Sequence, residues 1–284
     1  MRFLIVGVIF FGFQSKGFAH DTLKIRKFST HAALISSGGG SLIALQSVWY
    51  KPYQTVGFHW FNDGSNWMQM DKFGHGFTAY SMSKSINSAH RWASGKQQVW
   101  VGPTYAFTYL LTLEIMDGYS SGWGFSIPDV LANSLGASFF MVQEALWKRQ
   151  VIQPKFSFCK SPYAALRPNI LGSSFPQQLL KDYNGQTYWF SIPLRSLVKL
   201  PNYLDFVCVS LGYGCDAKLV GDQDAWQGFV ARRQYYFSLD IDCSNLFPKR
   251  PILNKVFSSI NYLKFPFPSL EFSSNKTRFH WIGF

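Results

Sequence analysis

The sequence predicts an α+β protein, in which a hydrophobic bundle of about four helices precedes a small antiparallel β-rich C-terminal region. Two uncharged stretches in the first half, residues 31–50 and 97–113, contain no Asp, Glu, Lys or Arg. In the second half, residues 234–243 alternate between apolar and polar side chains, which is the two-residue period of a strand. The change of period near residue 150 indicates two regions of different structure.

We expect helices at 31–50, 71–88, 97–116 and 126–148. Gly38, Gly39 and Gly40 weaken the first by about 1 kcal/mol per glycine. Ser126, with Pro128 and Asp129 in the first turn, marks the start of the fourth. The 17 uncharged residues of 97–113 are at the lower limit for crossing a bilayer.

Strands are predicted at 188–197, 203–213, 234–243 and 279–284, joined by turns rich in Asn, Gly and Pro. The sequence supports four to six strands in all. The last of them is aromatic and closes on Phe284, and it resembles the terminal strand of bacterial outer-membrane β-proteins. We therefore expect a small sheet that packs on the helices or on a membrane.

Composition indicates partial contact with lipid. Aromatic residues make up 18% of the chain and charged residues 15%, against roughly 25% charged in an average soluble domain. The mean hydropathy of −0.02 excludes a multi-span transporter. The high hydrophobic content also excludes a disordered chain.

The N-terminus has the features of a secretory signal. Arg2 precedes an apolar run of about 11 residues, and a small-residue cleavage site ends at Ala19. We divide the chain into a signal peptide (1–19), a helical membrane-associated domain (20–150) and a β-rich region (151–284). An uncleaved anchor is the alternative, although spanning needs about 20 residues. The expected location is the cell envelope of a Gram-negative bacterium, either the periplasm or the outer membrane.

The chain is basic, with 27 Lys and Arg against 15 Asp and Glu and a net charge of +12. Loss of Arg2 and Lys16 with the signal lowers this to +10. Membrane lipids or other anionic envelope components are the expected partners, and export disfavours nucleic acid. The alternative is that the positive charge only keeps the protein soluble, and no protein partner is indicated.

The four cysteines form no C-x-x-C pair, so disulfides and buried thiols both stay open.

Three polar motifs fall on the later helices. Asp71 and His75 are four residues apart and share a helix face. Glu114 follows the uncharged run, where an unpaired carboxylate is costly, and Asp117 lies three residues later. Helix bundles build metal and acid–base sites from such side chains. The predicted polar cluster is Asp71, His75, Glu114, Asp117, Asp129 and Asn133.

Each motif also has a structural interpretation. Asp71 could be an N-cap, and Ser126 with Asp129 could form a capping box. Asp117 before Gly118 could mark a helix end. A lone His75 is more often a hydrogen-bonded core residue than a ligand. If the polar residues only fix the register of the helices, Glu114→Gln should lower stability without any selective phenotype.

The motifs resemble the YfiM-like family of predicted periplasmic lipoproteins of unknown function, and more distantly the VanZ-like membrane proteins. The resemblance covers about residues 45–150, and residues 165–173 and 182–189 look like longer members from Bacteroidetes-type bacteria. It implies an envelope location and key residues, but no reaction. The chain departs from the family in one respect, because no cysteine for lipid attachment follows the apolar run. The matching pattern is Asp71-Lys72-x-x-His75, Glu114 and Ser126-x-x-Asp129-x-x-x-Asn133-x-x-Gly136.

Two functional hypotheses follow. The first is an envelope protein with a structural or binding role at the membrane. The second is a metal-dependent or acid–base enzyme acting on a phosphorylated lipid or cell-wall intermediate. In that case His75 and Glu114 are the catalytic candidates, and a divalent cation would be held by Asp71, His75, Glu114 and Asp129. No nucleophile elbow, phosphate loop or His-Glu-x-x-His motif is present in the sequence.

Overall fold

The computed structural model describes residues 19–274 and 276–283, and their architecture confirms the predicted α+β class. Helices dominate the first half, and an antiparallel sheet dominates the second. The predicted signal peptide, apart from Ala19, and the terminal Phe284 lie outside the described residues.

Four long helices form the first half, and α2 packs against each of the other three. The first helix runs unbroken through Gly38, Gly39 and Gly40. Its neighbour α3 supports it there, since Ser41 Oγ and Tyr109 OH are 2.9 Å apart. In the described part of the chain, no helix combines the length and apolarity needed to cross a bilayer. The long helices are α1 (Ala19–Leu45), α2 (Met70–Ser94), α3 (Val101–Gly118) and α4 (Ile127–Trp147).

The second half contains a six-stranded antiparallel sheet of order β1-β2-β3-β6-β7-β8, and β4 with β5 forms a separate ribbon. Three short helices lie between the strands, namely α5 (Pro168–Leu171), α6 (Phe175–Lys181) and α7 (Pro251–Ser259). The strands are β1 (Gln153–Phe158), β2 (Gln186–Pro193), β3 (Val207–Asp216), β4 (Ala225–Trp226), β5 (Phe229–Val230), β6 (Arg232–Ile241), β7 (Phe267–Ser273) and β8 (Lys276–Gly283).

Helix α2 joins the two halves by packing on β1 and β2. Phe73 and Phe77 of α2 lie on Tyr188, which is buried in the sheet. The same core includes Met70 at the start of α2 and Tyr213 of β3. This contact fixes the first turns of α2, and with them the polar residues of that helix, against the sheet.

The sheet has an unusual distribution of polarity. Strand β6 alternates as the sequence predicts, but its apolar Phe237 and Leu239 are exposed whereas Ser238 and Asp240 are buried. In a sheet that faces water on one side, the apolar side chains usually face the core. Lys155 of β1 is also fully buried and pairs with Asp240 at 2.8 Å.

All four cysteines are free thiols, so none of them forms the disulfides that the sequence left open. Cys208, Cys215 and Cys243 are buried, and Cys159 is exposed. Burial raises the pKa of the Cys208 thiol to about 12. The buried thiols are therefore packing residues.

Candidate functional site

The start of α2 is held in place by the sheet. Trp67, Met68 and Gln69 all adopt left-handed backbone conformations, with φ between 50° and 64°. Such conformations are unfavourable for residues other than glycine and persist only where the surroundings impose them. Met68 O accepts a hydrogen bond of 2.5 Å from Tyr213 OH of the sheet. Asp71 and Lys72 consequently project from a fixed first turn. Gln69 is the N-cap, so the capping interpretation of Asp71 is wrong.

Lys72 lies among three carboxylates. Its Nζ is 2.7 Å from Asp63 Oδ2, 2.9 Å from Asp71 Oδ2 and 2.5 Å from Asp129 Oδ1. The three come from the segment before α2, from α2 itself and from α4. Burial alone would lower the pKa of Lys72, but the charges of Asp71 and Asp129 outweigh it and raise that pKa. The group retains an excess of negative charge, because one ammonium offsets only one of the three carboxylates.

His75 lies one turn further along α2, between two polar groups. Its Nδ1 is 3.1 Å from Asn133 Oδ1, and as this oxygen can only accept, Nδ1 is assigned as the donor. Its Nε2 faces Asp71 Oδ1 at 3.8 Å and Asp129 Oδ1 at 3.6 Å. These distances are too long for hydrogen bonds. In the neutral ring a lone pair therefore points at two carboxylate oxygens.

Helix α4 supplies Asp129 and Asn133 on one face. Ser126 is its N-cap and accepts a hydrogen bond from the Asp129 backbone N–H at 3.1 Å, as predicted. The Asp129 side chain is free to reach Lys72. Gly136 allows α4 to approach α2 closely, since a Cβ atom there would lie 2.1 Å from Gly76 O. The Gly136 of the sequence motif is thus a contact between the two helices that form the site.

Glu114 lies on the Nδ1 side of the His75 ring, as Asn133 does, with Oε1 3.5 Å from Nδ1. Burial, reinforced by the charges of Asp129 and Asp117, raises the pKa of Glu114 to about 9. The group is therefore a neutral acid at pH 7. Glu114 Oε1 and Asn133 Nδ2 are buried, and neither has a hydrogen-bond partner within the described structure.

The pKa values of the carboxyl groups depend on burial and on the charges of their neighbours. Burial and the charge of Asp71 raise the pKa of Asp129 to about 6. Burial would also raise the pKa of Asp71, but the charge of His75 when its ring is protonated, together with the charge of Lys72, holds it below its ordinary value. Raised pKa values of this kind are common at functional sites. Here the raised values come first from burial, and second from the negative charge of neighbouring carboxylates.

A cavity of about 360 Å³ opens beside the site between α2, α3 and the sheet. Asp71 and His75 lie in its wall together with apolar side chains of both halves, including Leu110 and Tyr188. Tyr183 also lines it and donates a hydrogen bond of 2.7 Å to Asp71 Oδ1. An apolar pocket with a few converging polar groups is the usual form of a ligand site.

The structure brings together five of the six predicted cluster residues. Asp117 is at the end of α3, where it accepts a hydrogen bond of 2.7 Å from Tyr50 OH, and it acts on Glu114 only through its charge. The structural interpretation of Asp117 and Gly118 as a helix end is confirmed. Sequence reasoning missed Asp63, Lys72 and Tyr183. The Asp-Lys pair of the motif was a usable signal for Lys72, but Asp63 lies in a loop without periodicity.

One family model matches the segment that contains this site. Residues 58–145 match the family described as Predicted periplasmic lipoprotein (DUF2279). This description agrees with the prediction of an exported protein of the Gram-negative cell envelope, whose function is uncharacterised. The YfiM-like name and the VanZ-like resemblance stay predictions. No curated protein and no solved structure matches the chain.

The matched segment runs from just before Asp63 to the last turn of α4. It contains every polar residue of the cluster and the close contact between Gly76 and Gly136. Tyr183 and the sheet lie outside it.

Glu114 gives the site a measurable pH dependence. Because its folded pKa is about 9 and its ordinary value is 4.5, the folded state holds a proton that the unfolded state releases between these pH values. Stability attributable to Glu114 therefore falls as the pH rises from 4.5 towards 9. We expect Glu114→Gln, which mimics the neutral acid, to raise the free energy of unfolding at pH 7 by up to about 3 kcal/mol, because the wild type must hold a proton well above the ordinary pKa of 4.5.

Urea unfolding of both proteins at pH 5 and pH 8 measures this effect. The advantage of the Gln variant should be larger at pH 8. A variant that is less stable than the wild type at both pH values would support the alternative in which Glu114 only fixes helix register.

Proposed function

We propose that this cell-envelope protein binds a divalent metal ion between Asp71, His75 and Asp129. The observation that supports this most directly is the position of His75 Nε2, which faces carboxylate oxygens of Asp129 and Asp71 at 3.6 and 3.8 Å without hydrogen-bonding to either. Lys72 already neutralises part of this charge, since it contacts both Asp71 and Asp129. A second cation between Nε2 and the two carboxylates would offset the negative charge that remains.

The distances fit a metal ion. The donor atoms of Asp71, His75 and Asp129 all lie within 4.8 Å of one another. Ligands bound at about 2.1 Å in tetrahedral geometry are separated by about 3.4 Å. The observed separations from Nε2 need to contract only slightly to reach this value.

The surroundings of the triad resemble those of metal sites. A ligating histidine usually donates its second ring N–H to an oxygen acceptor, which orients the ring. Asn133 Oδ1 is such an acceptor at Nδ1. Glu114 lies on this Nδ1 side, so we assign three protein ligands and leave Glu114 as a neutral neighbour. The cavity beside Asp71 and His75 provides access for the ion and for water.

The donor set selects the class of ion. One imidazole nitrogen with two carboxylate oxygens suits Zn²⁺ or Mn²⁺, whereas Ca²⁺ and Mg²⁺ prefer oxygen alone. The charge also fits, because Asp63, Asp71 and Asp129 exceed Lys72 by two negative charges. Asp71 can bind Lys72 through Oδ2 and the ion through Oδ1.

Titration calorimetry of the chelator-treated protein with Zn²⁺ and with Mn²⁺ tests the proposal. We expect one ion per chain, and we expect His75→Ala and Asp129→Asn each to weaken binding more than about 100-fold. Asn133→Leu should weaken it about 10- to 100-fold, because the ring loses its orienting acceptor. Elemental analysis of the purified protein gives an independent stoichiometry.

Asp205→Asn is the matched control, because it removes a carboxylate from an exposed pair with Arg195 on the sheet side. Its affinity should equal that of the wild type. A stoichiometry near zero in the wild type, or affinity unchanged in both His75→Ala and Asp129→Asn, would refute the proposal.

A second candidate function is acid–base catalysis, and the cavity favours it. A cavity of 360 Å³ with His75 in its wall could place the free Nε2 against a bound substrate. A phosphorylated lipid or cell-wall intermediate is the candidate substrate class, on the grounds of location and basic charge. Release of phosphate from such substrates that is abolished in His75→Gln would support this function. Absence of any release by the metal-loaded protein would count against it.

A further inference from the structure

One face of the six-stranded sheet exposes apolar side chains in a continuous row. Its members are successive cross-strand neighbours on five strands, and their side chains are between 37% and 57% exposed. With strands about 4.8 Å apart, the row is about 19 Å long. A continuous exposed patch of this kind marks an interaction surface. The apolar row consists of Phe190, Leu211, Phe237, Leu270 and Phe279.

The opposite face of the sheet is polar, buried and internally hydrogen-bonded. Asp240 accepts a hydrogen bond of 2.5 Å from Ser191 Oγ and pairs with Lys155 at 2.8 Å. The Oγ atoms of Ser191 and Ser210 are 2.6 Å apart. Because side chains alternate along a strand, Phe190 lies on the same face as Tyr188, on which α2 packs. The apolar row is the part of that face that stays exposed. Transfer of the apolar row from water to an apolar environment would be favourable, in proportion to the apolar area removed from water.

The exposed apolar surface continues onto helix α4. Leu131, Leu135 and Leu146 repeat at helical spacing on α4 and are all more than half exposed. Phe139 of the same helix packs edge-on against Phe190, a member of the apolar row. The surface therefore extends over a sheet face and a helix face.

A basic segment follows β6 at one edge of the sheet. Strand β6 ends at the same edge of the sheet as β2, the strand that carries Phe190, because alternate strands of the antiparallel sheet run in the same direction. The segment 243–266 that follows β6 contains four basic and no acidic side chains. Within it, α7 exposes Ile252 and Val256 beside Lys255. Short basic helices with exposed apolar residues bind the interface of anionic membranes.

We propose that the apolar row and the exposed face of α4 contact the acyl chains of an anionic lipid bilayer, with Lys249, Arg250 and Lys255 at its head groups. Shallow insertion of this kind does not require a helix that spans the membrane. A second copy of the chain fits the surface less well. Each copy has a net charge of +12, so two copies repel one another, whereas an anionic bilayer attracts the same charge.

Co-sedimentation of the full chain with vesicles of equal parts phosphatidylglycerol and phosphatidylethanolamine tests the proposal. We expect Phe237→Thr with Leu270→Thr to lower the partition coefficient at least about tenfold, since two apolar side chains no longer enter the lipid. Val230→Thr is the matched control, because Val230 is more exposed than Phe237 and Leu270 but lies in the separate β4–β5 ribbon. Residues 1–19 are identical in all variants, so their contribution cancels.

The basic edge has its own test. Replacing Lys249, Arg250 and Lys255 by Gln should weaken binding to these vesicles by about fivefold per charge removed. The same variant should bind pure phosphatidylcholine vesicles as the wild type does. Circular dichroism and thermal unfolding establish that each variant is folded.

Trp281 provides a readout that does not depend on destabilising changes. It is 79% exposed and packs against Phe279 of the apolar row. Lipids with brominated acyl chains should quench the tryptophan emission of the wild type, and Trp281→Phe should reduce that quenching. Equal quenching in both proteins would contradict the proposal.

Three further results would overturn it. One is wild-type protein that does not bind the anionic vesicles. Another is a folded Phe237→Thr, Leu270→Thr variant that binds them as tightly as the wild type. The third is a concentration-dependent dimer that the same variant abolishes without any change in vesicle binding, which would identify a second copy as the occupant. Metal binding by Asp71, His75 and Asp129 is unaffected by any of these outcomes.

Discussion

Lys72→Met is expected to lower the free energy of unfolding by about 3 to 5 kcal/mol, because it leaves three buried or half-buried carboxylates without their cation. Methionine keeps the length and the apolar stem of lysine, so the change isolates the charge. Acidification should partly restore stability, since protonation of Asp129, whose pKa is already raised to about 6, removes one of the uncompensated charges.

Addition of Zn²⁺ or Mn²⁺ should also restore part of the stability of Lys72→Met, since a bound ion replaces the missing positive charge. Urea unfolding followed by circular dichroism, with and without the ion, measures both effects. Arg195→Met is the control, because the exposed pair of Arg195 with Asp205 should contribute less than about 1 kcal/mol. A loss below 1 kcal/mol in Lys72→Met would show that Lys72 does not neutralise the cluster.

Gly136→Ala is expected to destabilise the protein by about 2 to 3 kcal/mol. The added methyl group would lie 2.1 Å from Gly76 O, and backbone atoms of two packed helices cannot yield as a flexible side chain can. Helix α4 must therefore move away from α2. Because Asp129 and Asn133 lie on α4 and His75 on α2, we also expect weaker metal binding.

Gly39→Ala is the matched control for this change. Gly39 is also helical, but no atom of a neighbouring element lies within 4 Å of its Cβ position. Alanine should therefore stabilise α1 by up to about 1 kcal/mol through helix propensity alone. Thermal unfolding of the two variants measures the difference. Equal effects of the two substitutions would show that the contact between Gly76 and Gly136 does not hold the helices together.

Much of the site could be predicted because its residues follow helical spacing. Asp71 with His75, and Asp129 with Asn133, are each separated by four residues, so each pair shares a helix face. Lys72 and Asp63 could not be assigned in this way. Lys72 reaches Asp129 across the contact between α2 and α4, and only the packing of those helices shows this. Tyr183 comes from the second half of the chain, so no local pattern connects it to Asp71.

The sequence predicted the strands of the sheet less completely than the helices. Alternation revealed β6, but β1 and β7 were missed because each contains a proline and few alternating residues. The period of β6 also could not show which face is buried. Phe237 and Leu239 would be core residues in most sheets, and only the burial of Asp240 against Lys155 reverses that assignment.

Anomalous diffraction from crystals grown with Mn²⁺ tests the central claim about the site most directly. We predict one strong peak about 2.0 to 2.3 Å from His75 Nε2 and from one oxygen each of Asp71 and Asp129, with Lys72 still bound to Asp63. Crystals with Mn²⁺ at other positions, or with no peak between these three side chains at a saturating concentration, would contradict the account.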